Sequence, residues 1–368
     1  MTATSAPKLA TLVADRIVDD VAAQGWPEGE VIGSEPELLE RYGVSRAVLR
    51  EAVRVLEHRH VARMRRGPGG GLVVMAPSVE SATDAVCLSL VYERAGIDEV
   101  IVARLVLEEL AAGLAAARID DEGRLALDAL VAREAAGEVR DHRALHNLVA
   151  VQSANPALAF FVDVLNRVTL RYVLTTSRLS RGSAAESLHA HAALVRAIDR
   201  GDVVAARRRM HKHLVAEAEL LRSRRPSAKR LAELASAVER SGKRAEVTAM
   251  SIFGDVVRRG WPVGELLGSE AALMARYDVS RAVLREAVRV LEHHQVVGMR
   301  RGPGGGLFVV QPGDGAIVGE IALQVDRLGI TAAHLAEIHG VLDSTGANRV
   351  VDLLLEVIDD LAGRGTTG

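Results

Sequence analysis

Residues 44–58 read VSRAVLREAVRVLEH, and residues 279–293 read the same fifteen letters. The stretch MRRGPGGGL recurs in the same way, at 64–72 and again at 299–307. Both pairs are 235 positions apart (279 − 44 and 299 − 64), and Gly25-Trp26-Pro27 returns at that spacing as Gly260-Trp261-Pro262. Chance likeness between two helices rich in Ala, Leu and Arg does not produce a gap-free repeat of this length. It is an internal duplication.

Each copy has the same grammar. An amphipathic helix, over about 8–24 and about 243–259, ends at the Gly-Trp-Pro turn. A short helix starts after Ser34 or Ser269, each an N-cap ahead of a Glu. Gly43 or Asp278 then makes a tight turn, since both residue types tolerate a left-handed backbone. Ser45 or Ser280 caps a third helix. After it come a basic glycine-rich tip, Arg65-Arg66-Gly67-Pro68-Gly69-Gly70-Gly71 in the first copy, and the β-like run Leu72-Val73-Val74. Helix, helix-turn-helix and glycine-tipped hairpin together spell a winged helix-turn-helix.

On the third helix, Leu49, Ala52, Val53 and Leu56 fall at i, i+3, i+4 and i+7, a core-facing stripe. Arg46, Arg50 and Arg54 stand four apart on a different face. Such a row repels itself unless a polyanion answers it. Between Arg41 and Gly67 there are eight arginines against two acids, and between Arg276 and Gly302 six against three. Arg46 and Arg50 are the candidate base readers, because a bidentate guanidinium on guanine is the commonest specific contact. Arg54 continues their row. Ser45, Arg65, Arg66 and Gly67 suit phosphate and minor-groove contact. The second copy offers Ser280, Arg281, Arg285, Arg289, Arg300, Arg301 and Gly302 for the same roles. The alternative is a solvated arginine face with a hairpin used only for packing.

Composition narrows the classes. A chain of 368 residues implies two to four domains, and 3% aromatics with 49% hydrophobic residues points to a mainly α protein. The net charge is −2, so positive charge for nucleic acid must be local, unlike that of an architectural DNA binder. The single cysteine, Cys87, excludes an intramolecular disulfide framework and Cys-based zinc fingers. There is no basic start followed by an apolar core, and no apolar run of about 18 residues, so a cytoplasmic protein is expected. No HExxH, nucleotide loop in a βαβ setting or nucleophile elbow is present, which argues against an enzyme.

Between the copies the sequence is helical in period, and six or seven helices in an antiparallel bundle fit it. His142 and His146 leave one helix face at i, i+4, while His191 and His213 flank the Arg200-Gly201-Asp202 break. Four converging imidazoles suit zinc or a similar divalent ion; taken singly, each also reads as a surface or satisfied polar residue. The expected plan is a winged helix over 1–78, a helical domain over 79–226, a linker helix over 227–242, a second winged helix over 243–312 and a further segment over 313–368.

The run from Ser34-Glu35 to His58, followed by RRGPGGGL, resembles the DNA-binding domain of GntR-family regulators of the FadR-like branch, over 8–77 and 243–312. The resemblance places Ser45, Arg46, Arg50, Arg66 and Gly67, and likewise Ser280, Arg281, Arg285, Arg301 and Gly302, at DNA-contacting positions. Pro36 and Ala271 stand where relatives often carry Arg, so one usual contact is missing.

Arg104 and Glu108, Leu145-His146, Asn155-Pro156, His191 and His213 resemble that family's FCD effector domain, in which an Asp and three His hold a metal beside an organic-acid effector. The match assigns the three His positions to His146, His191 and His213, and puts His142 where the Asp belongs. Arg104 and Asn155 are the candidate effector contacts, Arg104 toward a carboxylate; its alternative is an intrahelical salt bridge with Glu108.

Residues 313–368 begin to repeat this domain: Arg104 becomes His339 and Glu108 becomes Asp343. The counterpart of His142 falls at 377 (142 + 235), so this copy is expected to be truncated and to pad the second reader or a dimer interface. The expected function is a sequence-specific transcription regulator, a repressor, binding a double-stranded DNA operator. A small carboxylate or acyl effector, an organic or fatty acid derivative, would modulate it, working as a homo-dimer or a single-chain pseudo-dimer. Arg59, His60 and Arg63 become His294, Gln295 and Gly298, so the first reader is expected to bind more tightly.

Overall fold

The first copy opens with helix α1 (Leu9–Ala23), whose Val13, Ala14, Ile17, Val18 and Val21 are buried. The computed structural model describes residues 9–364 except 60, 68, 76–78, 140, 142, 177–180, 223–243, 294, 301, 303, 313–320, 323 and 326. The linker helix expected over 227–242 lies outside the described residues. After α1 come α2 (Glu35–Tyr42), α3 (Arg46–His58) and a hairpin of β1 (Ala62–Arg65) and β2 (Gly71–Val74). The strands are antiparallel, with Ala62 opposite Val74 and Arg65 opposite Gly71.

The caps follow the sequence signals. Glu37 Oε2 accepts the Ser34 N–H at 2.7 Å, and Ser45 Oγ accepts the Val48 N–H at 3.4 Å. Gly43 closes α2 at φ 62°, a left-handed turn. Gly71 has a different reason to be glycine: a Cβ there would lie 2.4 Å from the Gly33 carbonyl oxygen. The stripe Leu49, Ala52, Val53 and Leu56 is buried against α1, Leu38 and Leu72.

The second copy repeats this in α11 (Arg244–Arg258), β3 (Leu266–Gly268), α12 (Glu270–Tyr277), α13 (Arg281–His293), β4 (Val297–Arg300) and β5 (Gly306–Val309). Here β5 lies between β3 and β4, both antiparallel to it. In the first copy a single bridge, Val31 to Val73, stands in place of β3. The non-glycine Asp278 takes the left-handed turn at φ 50°. Even the tertiary hydrogen bonds recur. Tyr42 donates to Asp20 at 2.6 Å as Tyr277 donates to Asp255 at 2.5 Å, and burial with that carboxylate pushes both phenols up to about 12. Met64 N–H reaches Glu57 at 3.1 Å as Met299 N–H reaches Glu292 at 2.9 Å.

Between the copies run α4 (Val79–Glu93), α5 (Ile97–Arg118), α6 (Asp121–Ala135), α7 (Arg143–Gln152), α8 (Pro156–Thr176), α9 (Arg181–Asp199) and α10 (Val203–Arg222). Alanines at 103, 111, 112, 115 and 116 are all buried on α5, so its neighbours α7, α8, α9 and α10 approach it closely. After the second copy come α14 (Ala332–Asp343) and α15 (Arg349–Arg364). The fold is mainly α with small β-hairpin wings, as the sequence implied.

Two compact units group the segments differently from the linear plan. One holds residues 1–81 with 320–329; the other holds 82–319 with 330–368. In the second, α14 packs on α5 and α8, and α15 on α5, so this segment covers the helical domain.

Removing a fully buried stripe residue leaves a cavity that costs roughly 2–5 kcal/mol. Leu56→Ala is therefore expected to lower hydrogen-exchange protection through α1 and α3 while sparing α11 and α13. Loss of protection in both copies alike would contradict separate cores.

Candidate functional site

The two recognition helices display their arginines differently. In the first copy Arg46 meets Glu35 at 3.6 Å and Arg54 meets Glu51 at 3.2 Å, both exposed ion pairs worth little. Arg50 is exposed on the same face. In the second copy Glu270 draws in both counterparts, Arg285 at 2.8 Å and Arg281 at 3.8 Å, and Arg289 pairs with Glu286 at 2.9 Å. Ser45 and Ser280 spend their hydroxyls on the helix caps, accepting from Val48 and Val283.

At the wings, Arg65 donates to the Gly69 carbonyl at 3.0 Å, and Arg300 lies over the Phe308 ring at 4.4 Å. Arg66 is exposed beside Gly67, whose φ of 98° is repeated at Gly302 (97°). Arg301 lies outside the described residues.

In the helical domain α7, α9 and α10 bring three imidazoles together. His213 Nε2 lies 3.2 Å from His146 Nε2 and 3.3 Å from His191 Nε2. A zinc ion held by imidazole nitrogens at 2.0–2.1 Å in tetrahedral geometry sets those nitrogens about 3.3 Å apart. Both of these spacings match ligands on one ion, and the three donor atoms all lie within 4.8 Å of one another. The far sides of the rings are fixed by carboxylates: Glu108 holds His146 Nδ1, and Glu134 holds His191 Nδ1 at 2.8 Å. A protonated Nδ1 on a carboxylate leaves the Nε2 lone pair for a metal, so the donor set fits a borderline divalent cation. His142, the fourth histidine of the sequence reading, lies outside the described residues. Its neighbour Asp141 is turned to Arg143, with which it pairs at 2.8 Å.

Behind the histidines lies a buried charge chain. Arg104 donates to Glu108 at 2.7 Å, to Glu217 at 2.9 Å and to Thr169 at 3.4 Å, and is 2% exposed. Burial works against the charge on Glu108, but the Arg104 guanidinium and the His146 ring outweigh it and hold the carboxyl down at about 2. Glu217 is lowered for the same reasons, burial opposing and Arg104 prevailing. Burial, with His146 and His191 alongside, drives His213 down to about 3, so its lone pair is free at neutral pH. Of the sequence alternatives for Arg104, the intrahelical pair with Glu108 is formed, and Glu217 and Thr169 accept from the same guanidinium. Asn155 is bonded at the start of α8 and to α14. Its Oδ1 accepts the Leu158 N–H at 3.1 Å, capping α8, and its Nδ2 donates to the His334 carbonyl at 3.0 Å and to Glu337 at 2.9 Å.

One connection was not visible in the sequence. Helix α4 follows the first winged helix in the chain, yet Leu88, Val91 and Tyr92 pack into the apolar core of the second. Tyr92 meets Trp261 edge-on, with centroids 5.4 Å apart, and Arg94 donates to the Gly260 carbonyl at 3.3 Å. Upstream on α4, Asp84 and Cys87 are both contacted by Arg171 of α8.

Two stretches of the chain, 9–72 and 246–309, match the gntR family of bacterial regulatory proteins, and 99–216 matches the FCD domain. The chain is a GntR-family transcription regulator with an FCD domain. The doubled match is the internal repeat, and membership makes it a DNA-binding regulator and not an enzyme. This GntR-family chain is 29% identical over 210 residues to the uncharacterized HTH-type transcriptional regulator YieP of Escherichia coli (strain K12). That match takes in 54% of this chain and 89% of the relative. Among solved structures, Streptococcus agalactiae GntR is 25% identical, over 58% of this chain and 99% of that one, with a TM-score of 0.42. E. coli McbR/YncC is 14% identical, over 59% and 98%, with a TM-score of 0.32. No helix among the described residues is long and apolar enough to cross a membrane.

The geometry of the FCD histidines makes two measurable statements. Calorimetric titration of the chelated protein should give one zinc per chain, lost in His191→Ala. Glu134→Gln, which leaves all three ligands in place, should weaken zinc about 10–100-fold. The metal-free protein should also lose stability as pH falls. His213 stays neutral when folded down to about 3 but takes a proton near its ordinary value when unfolded, so the loss spans the interval between. Chemical denaturation across that interval reads it; a flat profile would place His213 in solvent.

Proposed function

We propose that this regulator is a repressor whose operator affinity is set by a divalent ion and a small carboxylate effector at His146, His191 and His213. The observation that supports it is His213 Nε2 at ligand spacing from both His146 Nε2 and His191 Nε2, with carboxylates behind two of the rings. When bound, the ion supplies a Lewis-acidic position that a carboxylate can occupy. In this reading Arg104 is a positioning residue: its charge keeps Glu108 ionised, and Glu108 keeps His146 in the ligating tautomer. Asn155 serves as a helix cap and not as an effector contact.

DNA reading is assigned to Arg46 and Arg50 with Arg281 and Arg285, flanked by Arg54 and Arg289. Backbone and minor-groove contact falls to Ser45, Arg65, Arg66 and Gly67, and to Ser280, Arg300, Arg301 and Gly302. Glu270 competes with DNA for Arg281 and Arg285 in the second reader, which favours tighter binding by the first.

The route from ligand to DNA runs through contiguous contacts in one compact unit. His146, Glu108, Arg104 and Thr169 lead to α8; Arg171 of α8 leads to α4; and α4 enters the core of the second reader. A ligand favouring one position of α4 would shift that reader by linkage.

Fluorescence anisotropy on an enriched operator tests both parts. Arg50→Ala should cost about 1–3 kcal/mol, Arg285→Ala less, and chelation should change the affinity of the wild type but not of His191→Ala. Affinity indifferent to chelation in both proteins would remove the metal from the mechanism.

A further inference from the structure

Helix α14 stands at the repeat spacing from the first half of α5: residues 332–343 lie 235 positions after 97–108 (332 − 97). In the fold α14 lies against α5 itself, and against α8. A helix seated on its counterpart in the repeat is the arrangement of two-fold pairing, where one surface meets a second example of itself.

The contact is specific. Glu337 of α14 pairs with Arg118 at the end of α5 and accepts from Asn155 at the start of α8. Arg118 in turn donates to the Ser153 carbonyl at 2.8 Å, and the Arg118 guanidinium holds the Glu337 carboxyl below its ordinary value. At the other end Asn348 donates to the Glu99 carbonyl at 3.2 Å, the Arg349 N–H reaches the Glu99 carboxylate at 3.1 Å, and the Arg349 guanidinium pairs with Glu93. Leu335, Ile338 and Leu342 are buried on α14, as are Val350, Leu354, Val357 and Ile358 on α15.

The connecting segments show the same pairing. Arg94-Ala95-Gly96-Ile97 closes the first connector, and Arg327-Leu328-Gly329-Ile330 closes the second, 233 positions later (327 − 94), two short of the repeat offset of 235, so the copies differ in length at this junction. The first connector, α4, is built into the second reader's core, while residues 320–329 belong to the compact unit of the first reader. Each copy's connector has therefore gone to the other copy's reader, which is a reciprocal exchange within one polypeptide.

We propose that residues 330–364 occupy, within the chain, the α5–α8 face on which a second subunit would otherwise pair, so that the protein is a single-chain pseudo-dimer and monomeric in solution. The occupant is the chain's own second copy. Only the DNA part of the following test rests on the regulator reading; the mass in free solution does not.

Light scattering of the full chain over a wide concentration range should give the mass of one chain. On a duplex carrying the enriched operator, one chain per duplex is expected. Glu337→Arg, which sets like charges at Arg118, should expose the face, raise hydrogen exchange in α5 and move the mass toward two chains. Arg118→Glu with Glu337→Arg restores the pair with its signs exchanged, so it should return to one chain and guards against a variant that merely misfolds. A wild-type mass of two chains would overturn the proposal. So would a Glu337→Arg protein that stays at one chain with α5 protection unchanged.

Discussion

The Glu108 carboxylate, 1% exposed between Arg104 and His146, is the constraint on which the helical domain depends. An ionised carboxylate without partners in such a place would be prohibitively costly, and removing one partner of a buried pair typically costs about 3–5 kcal/mol. Arg104 is in the same position and needs Glu217 of α10 as its second partner. Helices α5, α7 and α10 are thus tied together by charges that none of them can release alone. The histidine site stands on that lattice, because Glu108 fixes the tautomer and the angle of His146. Fold stability and ligand geometry are here one requirement.

Much of the reader fold was legible in the sequence because its determinants are local. Serine caps, the left-handed positions at 43 and 278 and the period of Leu49, Ala52, Val53 and Leu56 act within a few residues. A verbatim repeat turned one such reading into two. The three histidines were legible from resemblance and from their placement about a helix break. Their carboxylate supports were less so. Glu108 was visible as a partner for Arg104, but its second bond to His146 crosses from α5 to α7, and nothing near Glu134 marks it as the support of His191. Asn155 reads in the sequence only as a candidate effector contact, and its capping bond at the start of α8 is a local role that such a reading passes over.

The exchange of connectors was beyond any local signal. Tyr92 and Leu88 look like ordinary apolar residues of a helix, and nothing in their spacing says which of two nearly identical cores receives them. Proximity along the chain favours the first reader; the fold uses the second.

Placing both readers in one polypeptide also releases them from a bond of inheritance. In a symmetric pair of identical chains every substitution appears twice, so the two halves of a recognised site must remain mirror images. Here Arg59 and Arg63 have already parted from His294 and Gly298, while the helices that precede them remain letter for letter alike. Selection can act on one reader alone, and the DNA it follows need not be a palindrome.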